Sequence, residues 1–134
     1  MAVSILGRSA IAFLFCVWLA GPAQAQVDLL RKTTPEQRAS AQTNFMKSKL
    51  SLDPKTAAAV SALNLETARK AQSVIQGASN RFSLGMGLRK LNADRDAKLK
   101  KMLSPEQWKV FESSQDEMKK TVMAELEKAV RTEP

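Results

Sequence analysis

Three sites in this chain place a capping residue directly before a proline, and they constrain the fold more than any other feature of the sequence. The sites are Thr34-Pro35, Asp53-Pro54 and Ser104-Pro105. A Thr, Asp or Ser side chain accepts a hydrogen bond from a free N–H at the start of a helix. Proline suits the first helical position because it lacks an N–H. Each site therefore predicts the start of an α-helix.

Two of these starts also have the spacing of a capping box. Gln37 follows Thr34 by three residues, and Gln107 follows Ser104 by three residues. In such a box the hydroxyl binds the N–H of the third helical residue, and the Gln side chain binds the N–H of the cap. Leu52, directly before the Asp53 cap, is in the position of a hydrophobic staple.

Apolar residues recur at helical spacing after each start, and we find no alternation of the kind that strands show. We therefore predict an all-α chain with four helices, over residues 35–49, 54–76, 88–102 and 105–131. The glycine-rich stretch 77–87 is predicted as a turn between helices that is helical at most in part. A continuous helix over 105–131 is about 40 Å long, which predicts an elongated molecule.

The first 25 residues have the pattern of a secretory signal peptide. They contain Arg8, an apolar run and a small-x-small ending at Ala23 and Ala25, and the apolar run is too short to span a membrane. We predict cleavage after Ala25. The remaining residues 26–134 are expected to form a single domain, exported to the periplasm.

The predicted mature chain contains neither cysteine nor histidine, because the sequence has no His and its one Cys is Cys16. Disulfides, the usual zinc and copper sites, and His-assisted nucleophiles are thereby excluded. Glu36 and Glu106 are the remaining acids of the repeated Pro-Glu-Gln motif, and each is interpreted as a carboxylate favoured by a helix N-terminus. We expect no enzyme activity, no cofactor and no metal.

The net charge is strongly positive, at +8 for the whole chain. Most lysines alternate with acidic residues, which is typical of solvated helix faces, and an exported protein is not expected to bind nucleic acid. The densest basic segment is Lys-Leu-Lys-Lys at 98–101. The apolar stripes are thin for a chain of this length, so a homodimer formed through helix faces is expected.

Three segments resemble the Spy/CpxP family of periplasmic helical proteins, which is named for a Leu-Thr-x-x-Gln motif. The C-terminal copy is Leu103-Ser104-Pro105-Glu106-Gln107, with Ser in place of Thr. The earlier copy is Leu52-Asp53-Pro54-Lys55-Thr56, in which Asp and Thr replace Thr and Gln. The third segment, Arg-Asp-Ala-Lys-Leu-Lys-Lys-Met-Leu, precedes the C-terminal copy. The Thr-Pro-Glu-Gln at 34–37 is an additional copy without the leading Leu.

This resemblance implies a helical hairpin chain paired as a curved antiparallel dimer. It also implies an ATP-independent chaperone, or holdase, that binds unfolded or partly folded envelope proteins on a basic, partly apolar surface. The alternative is an envelope-stress regulatory adaptor that binds a sensor or another envelope protein. The residues expected to bind clients lie in the glycine-rich stretch and the helix after it: Arg81, Phe82, Leu84, Met86, Arg89, Lys98 and Lys101.

Overall fold

The structure, a computed structural model, describes residues 23–133, and all of its regular elements within that range are α-helices. This confirms the all-α prediction. The predicted signal peptide lies outside the described residues except for 23–25. The helices are α1 (Ala23–Lys32), α2 (Pro35–Leu50), α3 (Pro54–Gly77), α4 (Arg81–Met102), α5 (Pro105–Ser113) and α6 (Gln115–Thr132).

All three predicted proline starts are confirmed as helix N-termini. The Oγ1 atom of Thr34 accepts from the N–H of Gln37 at 3.1 Å, and the Gln37 side chain returns to the N–H of Thr34 at 2.9 Å. Ser104 and Gln107 form the same box at 3.1 and 3.0 Å. Asp53 accepts from the N–H of Thr56 at 3.2 Å. The repeated motif is thus a pair of helix caps.

The described residues form six helices where four were predicted. Two of the differences are a helix before Thr34 that was not predicted and an earlier start of the third predicted helix. Residues 26–33, for which no helix was predicted, belong mainly to α1. The third predicted helix begins at Arg81 instead of Leu88, so most of the predicted turn is helical. Asn80 explains that start, because its Oδ1 accepts from the N–H of Ser83 at 2.9 Å. Such a cap offsets the helix-weakening effect of the glycines that follow.

The predicted single helix over 105–131 is divided at Ser114. The N–H of Ser114 bonds to the carbonyl oxygen of Phe111, 3.2 Å away, three residues back instead of four. Ser114 has φ −104° and ψ 9°, outside the helical region, and it is buried. The helix is interrupted there. Helix α6 is about 27 Å long, and the predicted single helix of about 40 Å is not formed.

Helix α2 lies at the centre of the packing. It contacts α3 on one side and α5 and α6 on another, while α4 packs against α3, and α1 lies against α3 and α6. The core is formed by apolar residues from all six helices and the α4–α5 turn: Leu29, Ala41, Met46, Leu50, Val60, Leu63, Leu99, Leu103, Phe111, Met118, Val122 and Leu126. Leu52 packs against this core from the turn before α3.

Helices α3 and α4 approach each other closely at Gly87. A Cβ at that position would lie 2.6 Å from Cγ1 of Val74, closer than real Cβ contacts allow. The absence of a side chain at Gly87 therefore sets the separation of α3 and α4 at this level. A cavity lies nearby, between α3, α4 and α1.

Candidate functional site

The cavity has a volume of about 290 Å³. Helix α4 supplies the largest share of its wall, α1 and α3 supply further parts, and α2 and α6 contribute two residues each. Its apolar lining includes Val27, Leu30, Ala71, Leu84, Leu88 and Met123. It is partly open to solvent, and the aromatic ring of Phe82 lies at its rim.

Five cationic side chains line this cavity, and no lining residue is Asp or Glu. The five are Arg38, Arg81, Arg89, Arg95 and Lys119. Because they come from three different helices, the concentration of positive charge is a product of the fold. In a partly enclosed site such charges are screened by salt less than they are on an open surface.

Arg38 is the most informative of the five. It is only 5% exposed, and its guanidinium bonds to neutral oxygens alone. Its Nη1 donates to the carbonyl oxygens of Thr33 at 2.6 Å and of Leu30 at 2.8 Å, and its Nη2 donates to Oε1 of Gln72 at 2.6 Å. Burial lowers the pKa of Arg38, but arginine remains charged in proteins. A buried positive charge without a directly paired carboxylate therefore lies against the cavity.

Arg95 is equally buried but has a carboxylate partner. Its Nε and Nη2 donate to Oδ1 of Asp96 at 3.1 and 2.9 Å, and its Nη1 donates to Oε1 of Gln42 at 3.3 Å. Burial raises the pKa of Asp96, and the Arg95 guanidinium opposes that rise. Arg95 is therefore a buried charge that is paired with a carboxylate.

The structure brings four of the seven predicted client-binding residues to this cavity. Arg81, Phe82, Leu84 and Arg89 all line it. The other three lie elsewhere. Met86 is on the outer face of α4, Lys98 is 3.8 Å from the carboxylate of Glu66, and Lys101 is exposed near the end of the helix.

Phe82 and Met86 are the most exposed large apolar side chains in the described part of the chain. They are 78% and 49% exposed, and they lie one helical turn apart on α4. Most exposed apolar residues are single and need no explanation. This pair differs because Phe82 lines the basic cavity, and Met86 follows it one turn along α4.

Sequence reasoning missed Arg38, Gln42 and Lys119 as site residues. Arg38 reaches the cavity at the end of α1, where it bonds to Leu30 and Thr33, and α1 was not predicted. Lys119 enters from α6, a helix whose direction is set by the break at Ser114. The sequence offered one indication, which is the position of Arg38 directly after the Thr34–Gln37 capping box at the start of α2.

Glu36 and Glu106, the acids of the repeated Pro-Glu-Gln motif, lie on the surface. Glu36 is exposed and accepts from Nε and Nη2 of Arg69, each at 3.3 Å. The backbone at the start of α2 is the main cause that lowers the pKa of Glu36. Glu106 is exposed at the start of α5. Both carboxylates therefore occupy first helical turns, as their capping motifs predict.

Over residues 23–133 no group of three or more His, Cys, Asp or Glu side chains is arranged to hold a metal ion. The same part of the chain contains no helix with both the length and the apolar character needed to cross a membrane. Comparison with known proteins gives no match to any protein-family model, curated protein or solved structure.

Proposed function

We propose that this protein is an ATP-independent chaperone of the bacterial envelope that holds unfolded or partly folded proteins. The observation that carries the proposal is the exposed pair Phe82 and Met86, of which Phe82 lines a cavity whose described lining has five cations and no carboxylate. This surface offers apolar contact and positive charge together. Unfolded chains expose apolar segments, and many of them are acidic.

The strength of such contacts suits capture and release without nucleotide. Burying a Phe side chain fully contributes about 1.5–3 kcal/mol, and contact at an exposed rim buries only part of it. Positive charge adds mainly to the rate of encounter with acidic segments. A client therefore binds weakly at each contact and leaves when it folds.

The proposal includes a homodimer. Met102 remains 39% exposed at the end of α4, which supplies further apolar surface. Pairing as a curved antiparallel dimer is the arrangement that the Spy/CpxP resemblance implies. Light scattering on residues 26–134 at high micromolar concentration tests it. The mass of one chain would contradict the dimer without affecting the client-binding proposal.

Export is the last part of the proposal. The Arg8-containing leader and the ending at Ala25 imply a mature protein that begins at Gln26. Mass spectrometry of the protein recovered from the periplasm of an expressing bacterium tests this. An intact N-terminus, or retention in the cytoplasm, would contradict it.

The central experiment is an aggregation assay with two clients of similar fold and opposite charge, reduced α-lactalbumin and reduced lysozyme. We expect the protein to suppress light scattering from the acidic client at stoichiometric excess, and to act less on the basic one. Unchanged scattering from both would contradict the proposal. Suppression that requires ATP would also contradict it.

The Phe82→Ser variant locates the activity. Phe82 is almost fully exposed, so the substitution should leave thermal stability unchanged while it reduces suppression. Val110→Ser is the matched control, because it removes another exposed apolar side chain far along the sequence, on α5. Equal loss in both variants would contradict the assigned surface. Recovery of one stoichiometric partner from periplasm, with no suppression of aggregation, would instead indicate the regulatory adaptor.

A further inference from the structure

The cavity has features that client binding does not require. Its volume of about 290 Å³ is just below the usual range for small-molecule sites, about 300–1,000 Å³. It is too small for a helix or an extended chain to enter, but one small ligand fits. This inference goes beyond the proposed chaperone function and does not depend on it.

The walls indicate a ligand with an aliphatic part. Val27, Leu30, Ala71, Leu84, Leu88 and Met123 contribute apolar side chains from four helices. Polar lining groups are few, and several of them are already engaged. Gln42, for example, accepts from Arg95 at 3.3 Å. A sugar or another highly hydroxylated ligand would find few partners for its hydroxyl groups.

The charges indicate an anionic head. Arg38 is buried and held only by neutral oxygens, while Arg81 makes no hydrogen bond or ion pair with another described residue. A buried charge to which no carboxylate bonds directly is costly, and an anion in the cavity would reduce that cost. A cationic ligand would meet five like charges and no carboxylate in the lining.

We infer that this cavity binds a single-chain anionic amphiphile, such as a medium-chain carboxylate, with its aliphatic tail between α1, α3 and α4 and its head group among the arginines. Arg38 and Arg81 are the assigned head-group ligands. The geometry permits one molecule per chain.

Calorimetric titration of the purified mature protein tests this inference. The probes are decanoate and decyltrimethylammonium, which have tails of equal length and heads of opposite charge, each used below its micelle concentration. We expect decanoate to bind with a stoichiometry of one and at least about tenfold more tightly than the cation. Acetate, which has the head without the tail, should give no measurable heat.

Three variants locate the site. Arg81→Gln removes one lining charge at an exposed position and should weaken decanoate binding about two- to fivefold. Lys90→Gln is the matched control, because it removes one exposed charge from the same helix outside the cavity. Ala71→Phe fills the cavity without changing its charge and should abolish binding. The charge variants decide the matter if Ala71→Phe does not fold.

Equal affinity for the two decyl probes would overturn the inference, because it would show an apolar cavity without charge selection. Binding of several decanoate molecules per chain would overturn it, because that stoichiometry indicates adsorption to the surface. If Arg81→Gln and Lys90→Gln weakened decanoate binding equally, the assignment of the head group to Arg81 would be overturned. None of these outcomes depends on the aggregation assay, so the two proposals fail separately.

Discussion

The side-chain amide of Gln107 donates a hydrogen bond to the carbonyl oxygen of Leu50, 3.3 Å away. The same residue completes the capping box of Ser104, so the start of α5 is joined directly to the end of α2. Gln37 in the other box has a parallel role, because its amide donates to Oε1 of Glu133 at 3.1 Å. The repeated motif therefore caps helices and also joins segments that are distant in the sequence.

The Ser104→Ala variant should lower the free energy of unfolding by about 1 kcal/mol, the usual cost of losing an N-cap hydroxyl. The reason is the loss of the acceptor for the N–H of Gln107. Urea denaturation followed by circular dichroism measures it. Ser104→Thr keeps the hydroxyl and should stay within a few tenths of a kcal/mol of the wild type. Client binding by the folded variant should be unchanged.

Gln107→Met should destabilise the protein more than Ser104→Ala does. It removes two hydrogen bonds, one to the N–H of Ser104 and one to the oxygen of Leu50. Each such bond contributes about 0.5–1.5 kcal/mol net. The same denaturation experiment compares the two variants. If their losses were equal, the contact with Leu50 would contribute nothing to stability.

Arg38→Met should be strongly destabilising, by about 3 kcal/mol. Arg38 bonds to Leu30 and Thr33 around the end of α1 and to Gln72 of α3, and its loss leaves these oxygens without their donor. The Arg38→Lys variant should not restore this stability, because a single ammonium group cannot reach the oxygens of Leu30, Thr33 and Gln72 as the guanidinium fork does.

The control for Arg38 is Arg69→Met. Arg69 bonds to Glu36 on the exposed surface, where an ion pair contributes about 0–1 kcal/mol. Thermal unfolding of the two variants should therefore differ clearly. A small effect at Arg38, equal to that at Arg69, would contradict the assigned role of its guanidinium in joining α1 to α3.

Gly87→Ala should destabilise the protein although alanine is the better helix former by about 1 kcal/mol. The new Cβ would lie 2.6 Å from Cγ1 of Val74, whose branched side chain has little freedom to move in a helix. Gly77→Ala is the matched control, because no atom lies within 4 Å of its Cβ position. It should be neutral or slightly stabilising. The double variant with Val74→Ala should recover part of the loss at Gly87.

The Asp53→Asn variant should lose less stability than the wild type as the pH falls into the acid range. Hydrogen bonds from Thr56 hold the pKa of Asp53 below its ordinary value, so the folded state favours the carboxylate. The resulting stability is present above the unfolded-state pKa of about 3.9, and it is lost as the pH falls through the lower folded-state pKa.

Asparagine caps a helix about as well as aspartate, so the variant should fold normally at pH 7. The difference in Tm between wild type and variant should narrow as the pH falls below about 4. Glu36 and Glu66 also have lowered pKa values, but they are present in both proteins and do not affect the comparison. A constant difference in Tm from pH 7 to pH 2 would contradict the linkage.

Local chemistry made much of this fold predictable. The caps at Thr34, Asp53 and Ser104 depend on hydrogen bonds within four residues, so their sequence pattern was sufficient. The stripe of α6 was also visible, because Met118, Val122 and Leu126 recur at helical spacing and are all buried. Met102, by contrast, is 39% exposed, although Leu99 and Leu103 beside it are buried.

The sequence by itself determined that the chain is helical, where three of its helices begin, and which faces are apolar, since these depend on neighbours within a few residues. Only the tertiary structure decided that α1 packs against α3 and α6, that the helix predicted over 105–131 is interrupted at Ser114, and that Arg38, Arg81 and Lys119 meet at one cavity. The physical reason is that the charged residues of this site come from three helices. Their proximity is set by packing at positions such as Val74 and Gly87, which no local pattern of capping or periodicity records.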